Sequence, residues 1–186
     1  MRRLASLLVL AAGVVLAPSA QATDAVWDAL RASGSVVVLR HSYAPGGFDP
    51  PDARLDDCST QRNLDEQGRA QAVRVGEAFK RNSIEVGKIL SSPRCRCLDT
   101  ARLAFGRVEA WNVLQGSLND ENLRTRLVGQ IKDAIAAHRE GPALVLVTHG
   151  SVVSELTGLN IRMGAFVVLR RGAEGRHTVA GDLYIP

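Results

Sequence analysis

The stretch Val36-Val37-Val38-Leu39-Arg40-His41 passes from four apolar residues directly into an arginine and a histidine, then breaks into Ser42-Tyr43-Ala44-Pro45-Gly46-Gly47. A short apolar run bounded by turn residues reads as a strand buried on both faces, the kind that lies inside a parallel sheet. Open α/β sheets bind ligands beyond the carboxyl ends of their strands. Arg40 and His41 are therefore expected to face a pocket.

Working outward, similar apolar runs recur at Val86 to Leu90, Ala143 to Val147 and Ala165 to Leu169, with helical patterns between most of them. The first helix is expected from Asp65 to about Arg81, with Ala70, Val73, Gly76, Ala78 and Phe79 available for its buried side. A second opens just after Pro93 and carries Leu98, Ala101, Leu103 and Phe105. A third, from about Asn119 to His138, repeats Leu123, Leu127, Ile131, Ala134 and Ile135 at helical spacing. This alternation predicts an α/β fold on a largely parallel sheet. The tail from Ala165 to Pro186 reads as an edge hairpin around the polar Arg170 to Arg176 turn. The segment from Ser42 to Asp57, rich in proline, glycine and aspartate, is a long loop placed at the pocket rim.

At the other end, Arg2 and Arg3, an apolar stretch from Leu4 to Leu16, Pro18 and the small-residue site Ala20-Gln21-Ala22 have the layout of a secretory leader. The apolar stretch is shorter than the roughly 20 residues a spanning helix needs. The expectation is a leader over residues 1–22, one domain over 23–186, and a mature protein that is periplasmic or secreted with no stable membrane insertion. Cleavage after Ala22 leaves 164 of 186 residues, enough for one hydrophobic core, and removing Arg2 and Arg3 takes the net charge from +4 to +2. With 4% aromatic residues and no basic run of five, the chain is not expected to bind nucleic acid. In an oxidising compartment Cys58 is expected to pair with Cys95 or Cys97, fixing the backbone around Arg96. One Cys-x-Cys with a distant third cysteine lacks the usual zinc-ligand spacing, so no metal is expected.

Two further segments carry chemistry. Ser91-Ser92-Pro93-Arg94-Cys95-Arg96-Cys97-Leu98-Asp99-Thr100-Ala101 leaves a strand and enters a helix, so backbone amides and an arginine converge where an anion can dock. Arg94 and Arg96 are alternatives for that arginine; two residues apart, they are expected to point to different sides. Val145-Leu146-Val147-Thr148-His149-Gly150 is again an apolar strand ending in histidine, and Gly150 allows a ligand close to the backbone. Two histidines at matched strand ends, together with the arginine segment, point to catalysis. Gln61, Arg62 and Asn63, just before the first helix, are expected to touch phosphate or the substrate body, Arg62 foremost, with a turn and helix cap as the other reading.

Taken together, Leu39-Arg40-His41, Asn63-Leu64 with Gly68 and Gln71-Ala72, Ser91-Ser92-Pro93 through Arg96 to Thr100-Ala101, and Val147-Thr148-His149-Gly150 resemble the histidine phosphatase superfamily, also called phosphoglycerate mutase-like. The resemblance spans nearly all of the mature domain in the family's order. It implies a three-layer α/β/α sandwich around a mostly parallel sheet, and a phosphatase that works on phosphate monoesters without a metal or other cofactor. Residue by residue, it implies that His41 becomes phosphohistidine, that Arg40 and Arg96 grip phosphate, and that His149 is the second pocket histidine. The spacing from Arg96 to Thr100-Ala101 matches the family and selects Arg96 over Arg94. Gly150 stands where one branch of the family places an aspartate acid. The acid is therefore sought among Glu109, Asp120 and Glu121, with Asp120 preferred because it opens a helix. Phosphorylated small molecules or envelope glycolipids are the substrates that the resemblance suggests. The competing expectations are a phosphate-binding envelope protein without turnover, and a phosphomutase.

Overall fold

The computed structural model describes residues 20–116 and 119–186; the expected leader, up to residue 19, lies outside them. Chain order is α1 (Ala20–Arg31), β1 (Val36–Arg40), α2 (Glu66–Arg81), β2 (Val86–Ser91), α3 (Cys95–Phe105), β3 (Glu109–Ala110), α4 (Glu121–Ala137), β4 (Ala143–Thr148), α5 (Gly150–Thr157), β5 (Ala165–Arg171) and β6 (His177–Tyr184). One sheet of six strands runs β3-β2-β4-β1-β5-β6. The four strands from β3 to β1 are mutually parallel, whereas β5 and β6 add antiparallel to the edge. The sheet is thus mixed, and the expected largely parallel arrangement holds for the part that ends in Arg40-His41 and Thr148-His149.

Alternation along the strands makes the three layers. Val37, Leu39, Ile89, Val145, Val147, Phe166 and Val168 face α1, α2 and α3. Val36, Val38, Leu90, Leu144, Leu146, Val167 and Leu169 face the other way, against α4 and α5. Every residue of Val36 to Leu39 is fully buried. A side chain of this size contributes roughly 1.5–3 kcal/mol when taken out of water, so β1 is held from both faces.

Helix boundaries follow their caps. Asp65 and Asp120 precede α2 and α4, their carboxylates accepting the amides of Gly68 and Leu123. Both aspartates are therefore caps and not first helical residues. The expected buried side of α2 needs correction. Ala70 and Val73 are exposed, while Ala72 and Val75 are buried beside Gly76, Ala78 and Phe79. Gln71 explains the rotation. It is buried because its Oε1 accepts the Tyr43 amide at 2.9 Å and its Nε2 donates to the Ile185 carbonyl at 3.0 Å.

Two helices were not expected. The Val26, Trp27, Ala29 and Leu30 face of α1 joins the core, and the expected cleavage point after Ala22 falls near the start of this helix. α5 follows His149 directly and buries Val152 and Val153. Among the described residues no helix is long and apolar enough to cross a membrane.

Trp27 packs edge-on against Phe79 (ring centroids 5.7 Å) and Phe166 (5.8 Å), tying α1 to α2 and β5. Trp27→Ala is expected to lower unfolding free energy by about 3–5 kcal/mol. Urea titration followed by far-UV circular dichroism measures this; a loss below about 1 kcal/mol would show α1 to be dispensable.

Candidate active site

Parallel pairing brings the two histidines together. Arg40 is opposite Thr148, and Ser91 is opposite Val147 on the other side of β4. The ladder continues past the strand ends, with the His41 amide donating to the Thr148 carbonyl at 3.0 Å and the Ser92 amide to the Val147 carbonyl at 2.9 Å. His41, Ser92 and His149 therefore emerge side by side. The imidazole centroids of His41 and His149 are 5.5 Å apart.

His41 is 2% exposed. Its Nδ1 lies 2.8 Å from the Ser42 carbonyl oxygen, which can only accept, so Nδ1 carries the proton and Nε2 keeps its lone pair. Burial pushes the His41 pKa down, helped by Arg96, Arg62 and Arg40, and together they outweigh the Ser42 bond and bring it to about 3. His149 caps α5. Its Nδ1 faces Arg96 Nη2 at 3.4 Å and its Nε2 faces Ser92 Oγ at 2.8 Å. A guanidinium only donates, so Nδ1 accepts and Nε2–H points to the serine. Burial holds this ring's pKa well below the usual histidine value, with further depression from His41 and Arg96. Both rings are neutral at pH 7.

The expected arginines converge on these rings. Arg40 donates through Nη1 to the Ile161 carbonyl at 2.7 Å, and its guanidinium lies so close to Gly150 that a Cβ there would sit 3.1 Å from Cζ. A side chain at 150 would push the Arg40 guanidinium aside by a few tenths of an ångström. Arg62 donates to the Ala44 carbonyl, and Arg96, buried at the start of α3, meets His149. The Nε–H groups of Arg40, Arg62 and Arg96 are all buried without a hydrogen-bond partner among the described residues. Unpaired buried donors are costly, about 1–3 kcal/mol each, unless a ligand supplies acceptors. Arg94 precedes α3 in extended conformation (φ −64°, ψ 134°), so it is not on the helix face that separated it from Arg96 in sequence. Its Nη1 comes within 3.6 Å of Asp49, which Arg96 also contacts.

Asp49 was not singled out from the sequence. From the rim loop its Oδ1 accepts Arg96 Nη1 at 2.8 Å and the Arg62 amide at 2.9 Å. Burial raises its pKa, but the Arg62 amide and the Arg96 charge outweigh this and hold the carboxyl below its ordinary value. Two polar residues and a glycine fix the frame. Thr100 Oγ1 accepts the Ser42 amide at 3.0 Å and donates to the Arg96 carbonyl at 2.7 Å. Gln61 Oε1 accepts the Cys95 amide at 3.0 Å. Gly68 packs on Tyr43, where a Cβ would come within 1.8 Å of the carbonyl oxygen.

Asn63 donates through Nδ2 to the Cys58 and Gln61 carbonyls, the contacts of a turn. Asp120 is exposed at the start of α4, its Oδ1 accepting the Leu123 amide at 2.9 Å. Glu109 pairs with Lys88 and Glu121 with Arg124.

Of the two pairings open to Cys58, the structure contains Cys58–Cys95, across 37 residues. Closing a loop of that length restricts the unfolded chain by roughly 4 kcal/mol on chain-entropy grounds. It also clips the rim loop to the turn that presents Arg96. Cys97 is free and fully buried, its Sγ 3.6 Å from His149 Nε2, and burial pushes its pKa up to about 12.

Residues 56–120 match the histidine phosphatase superfamily (branch 1). No curated protein sequence matches the chain. Among solved structures, the protein histidine phosphatase SixA complexed with tungstate superposes with a TM-score of 0.59 at 16% identity, covering 81% of this chain and 96% of that one. A phosphoserine phosphatase from Entamoeba histolytica in complex with phosphoserine gives 0.60 at 16%, covering 80% and 95%. A mycobacterial glucosyl-3-phosphoglycerate phosphatase gives 0.56 at 16%, covering 81% and 98%. At these identities the structural likeness is one of fold.

His41 has a folded pKa near 3 against about 6.5 in an unfolded chain. Stability is therefore complete above pH 6.5 and is lost as pH falls toward 3, because the unfolded state takes up the proton first. At pH 5 the His41 contribution to the loss is about 2 kcal/mol. Denaturant unfolding at pH 7.5 and pH 5 is expected to show a smaller pH-dependent drop in His41→Gln than in the native protein; equal drops would place the His41 pKa near its ordinary value.

Proposed function

We propose that this chain is a member of the histidine phosphatase superfamily, whose model residues 56–120 match, and that it is a phosphatase hydrolysing phosphate monoesters through a phosphohistidine formed on His41. The carrying observation is the set of three buried, unpartnered Nε–H donors, from Arg40, Arg62 and Arg96, beside a neutral imidazole with a free Nε2. A tetrahedral dianion supplies the acceptors those donors lack.

In this reading Nε2 of His41 attacks phosphorus while the ester P–O bond breaks and its electron pair leaves with the alcohol oxygen. Phosphoryl transfer places negative charge on the equatorial oxygens, where fixed guanidinium groups stabilise it without reorganisation. Water then attacks phosphorus, the P–N bond breaks, and inorganic phosphate departs. His149, neutral and held between Ser92 and Arg96, is a second contact for the phosphoryl group. Arg62 and Gly150 belong to the phosphate-binding wall, and Asn63 shapes the turn that carries Arg62.

Asp120 is the proposed proton donor to the leaving oxygen. The segment leading to it passes Gly116, which packs against Val152 and Ser151, close behind His149 in the chain. The proposed substrates are phosphorylated small molecules or envelope glycolipids. The E. histolytica structure above holds one such small molecule, phosphoserine. Export to the periplasm or beyond is supported by the leader-like residues 1–22 and by the Cys58–Cys95 disulfide, a bond suited to an oxidising compartment.

Rapid quench of the native protein with an aryl phosphate is expected to trap an acid-labile phosphoprotein, with turnover and trapping both absent in His41→Ala. Tight phosphate binding without turnover would leave a binding protein instead. Asp120→Asn is expected to lose 10²-fold or more on alkyl phosphates and little on aryl phosphates, whose leaving groups need no proton. Equal rates on alkyl phosphates would remove Asp120 from this role.

A further inference from the structure

Asp49 shares its partner asymmetrically. Both carboxylate oxygens meet the same nitrogen of Arg96, with Oδ1 at 2.8 Å and Oδ2 at 3.0 Å from Nη1, and the Arg62 carbonyl accepts from that nitrogen at 3.3 Å. The opposite edge of the guanidinium, formed by Nε and Nη2, is left to the catalytic side. Nη2 meets His149 Nδ1 at 3.4 Å, and Nε is buried and unpartnered. A guanidinium has two edges whose paired N–H bonds run parallel and can grip two oxygens of a phosphate together; with Nη1 taken by Asp49, the Nε/Nη2 edge is the one left intact.

Asp49 is itself fixed. The Arg62 amide donates to Oδ1 at 2.9 Å, which ties the rim loop to the residue that supplies another guanidinium. The side chain is only 13% exposed, and that of Arg96 is 8% exposed. We propose that Asp49 is a positioning residue for phosphate binding: by occupying Nη1, it turns Arg96 so that the Nε/Nη2 edge faces His41 and His149. This rests on the phosphatase reading above. The alternatives for a carboxylate here are a proton donor and a stand-in for phosphate. A carboxyl held ionised by an arginine and a backbone amide carries no proton to give. A stand-in would span two nitrogens of Arg96 as a phosphate does, whereas both oxygens of Asp49 meet Nη1 alone.

The sign of one measurement separates these roles. Removing a negative charge beside a cationic pocket tightens anion binding if charge alone matters, and displacing a stand-in does the same. Loss of positioning weakens it. Asp49→Asn keeps the shape and an oxygen for the Arg62 amide while removing the charge that orders Arg96. Calorimetric titration with inorganic phosphate on the full chain is expected to show binding weakened at least tenfold in Asp49→Asn, with the thermal midpoint near that of the native protein. On an aryl phosphate, the same variant is expected to lose kcat/KM by a similar factor.

In an Arg96→Ala background, Asp49→Asn is expected to add little further loss of phosphate affinity, because the effect passes through Arg96. Asp49→Glu is expected to recover part of the binding. Unchanged or tighter phosphate binding in Asp49→Asn, or a full additional loss without Arg96, overturns the inference while native turnover stands. A native protein that neither binds phosphate nor turns over an aryl phosphate overturns the functional reading, and this inference with it.

Discussion

Register between β1 and β4 is the constraint on which the rest depends. With Arg40 opposite Thr148, the residue after each strand is a histidine, and both leave the sheet at the same height. β2, on the far side of β4, delivers Ser92 and then the arginine turn to that level. Strand side chains alternate, so a slip of one residue would exchange the two faces of the core and turn the histidines from one another. The core side chains on each face of the sheet thus hold the two histidines in place as well as the fold.

That arrangement gathers like charges. Four arginines, at 40, 62, 94 and 96, surround two imidazoles that burial keeps uncharged. The charge is offset locally by Asp49, through two of the arginines and the backbone of a third. A neutral imidazole within a cationic wall suits the dianionic substrate proposed above, and the burial that keeps both rings uncharged also makes the fold sensitive to acid. The proposed function and the acid sensitivity come from one set of groups.

Much of this was legible in the residues. Four apolar runs, one interrupted by Lys88, marked the interior strands, and two of them ending in histidine marked the candidate site. The arginine turn was legible too, though the choice between Arg94 and Arg96 needed the family's spacing. Other parts were hidden for physical reasons. The face of α2 was misplaced because a polar residue, Gln71, is buried for its hydrogen bonds, so hydrophobic periodicity alone selected Val73. α5 is eight residues long and opens with Gly150-Ser151 and two β-branched valines, a poor helix signature that packing overrides. Asp49 sits among other aspartates in a loop where turn chemistry accounts for each. The three-dimensional approach of Arg96, Arg94 and the Arg62 amide distinguishes it from Asp52 or Asp56.

The spare thiol of Cys97 lies two residues from a bridged cysteine, an arrangement that usually invites exchange, because a thiolate beside a disulfide can attack it and swap partners. Here the buried side chain, with its proton held until about pH 12, offers almost no thiolate under ordinary conditions. Once the chain has folded, the Cys58–Cys95 connectivity is kinetically locked against isomerising to Cys58–Cys97, and the same burial shields the lone sulfur from oxidants and alkylating agents.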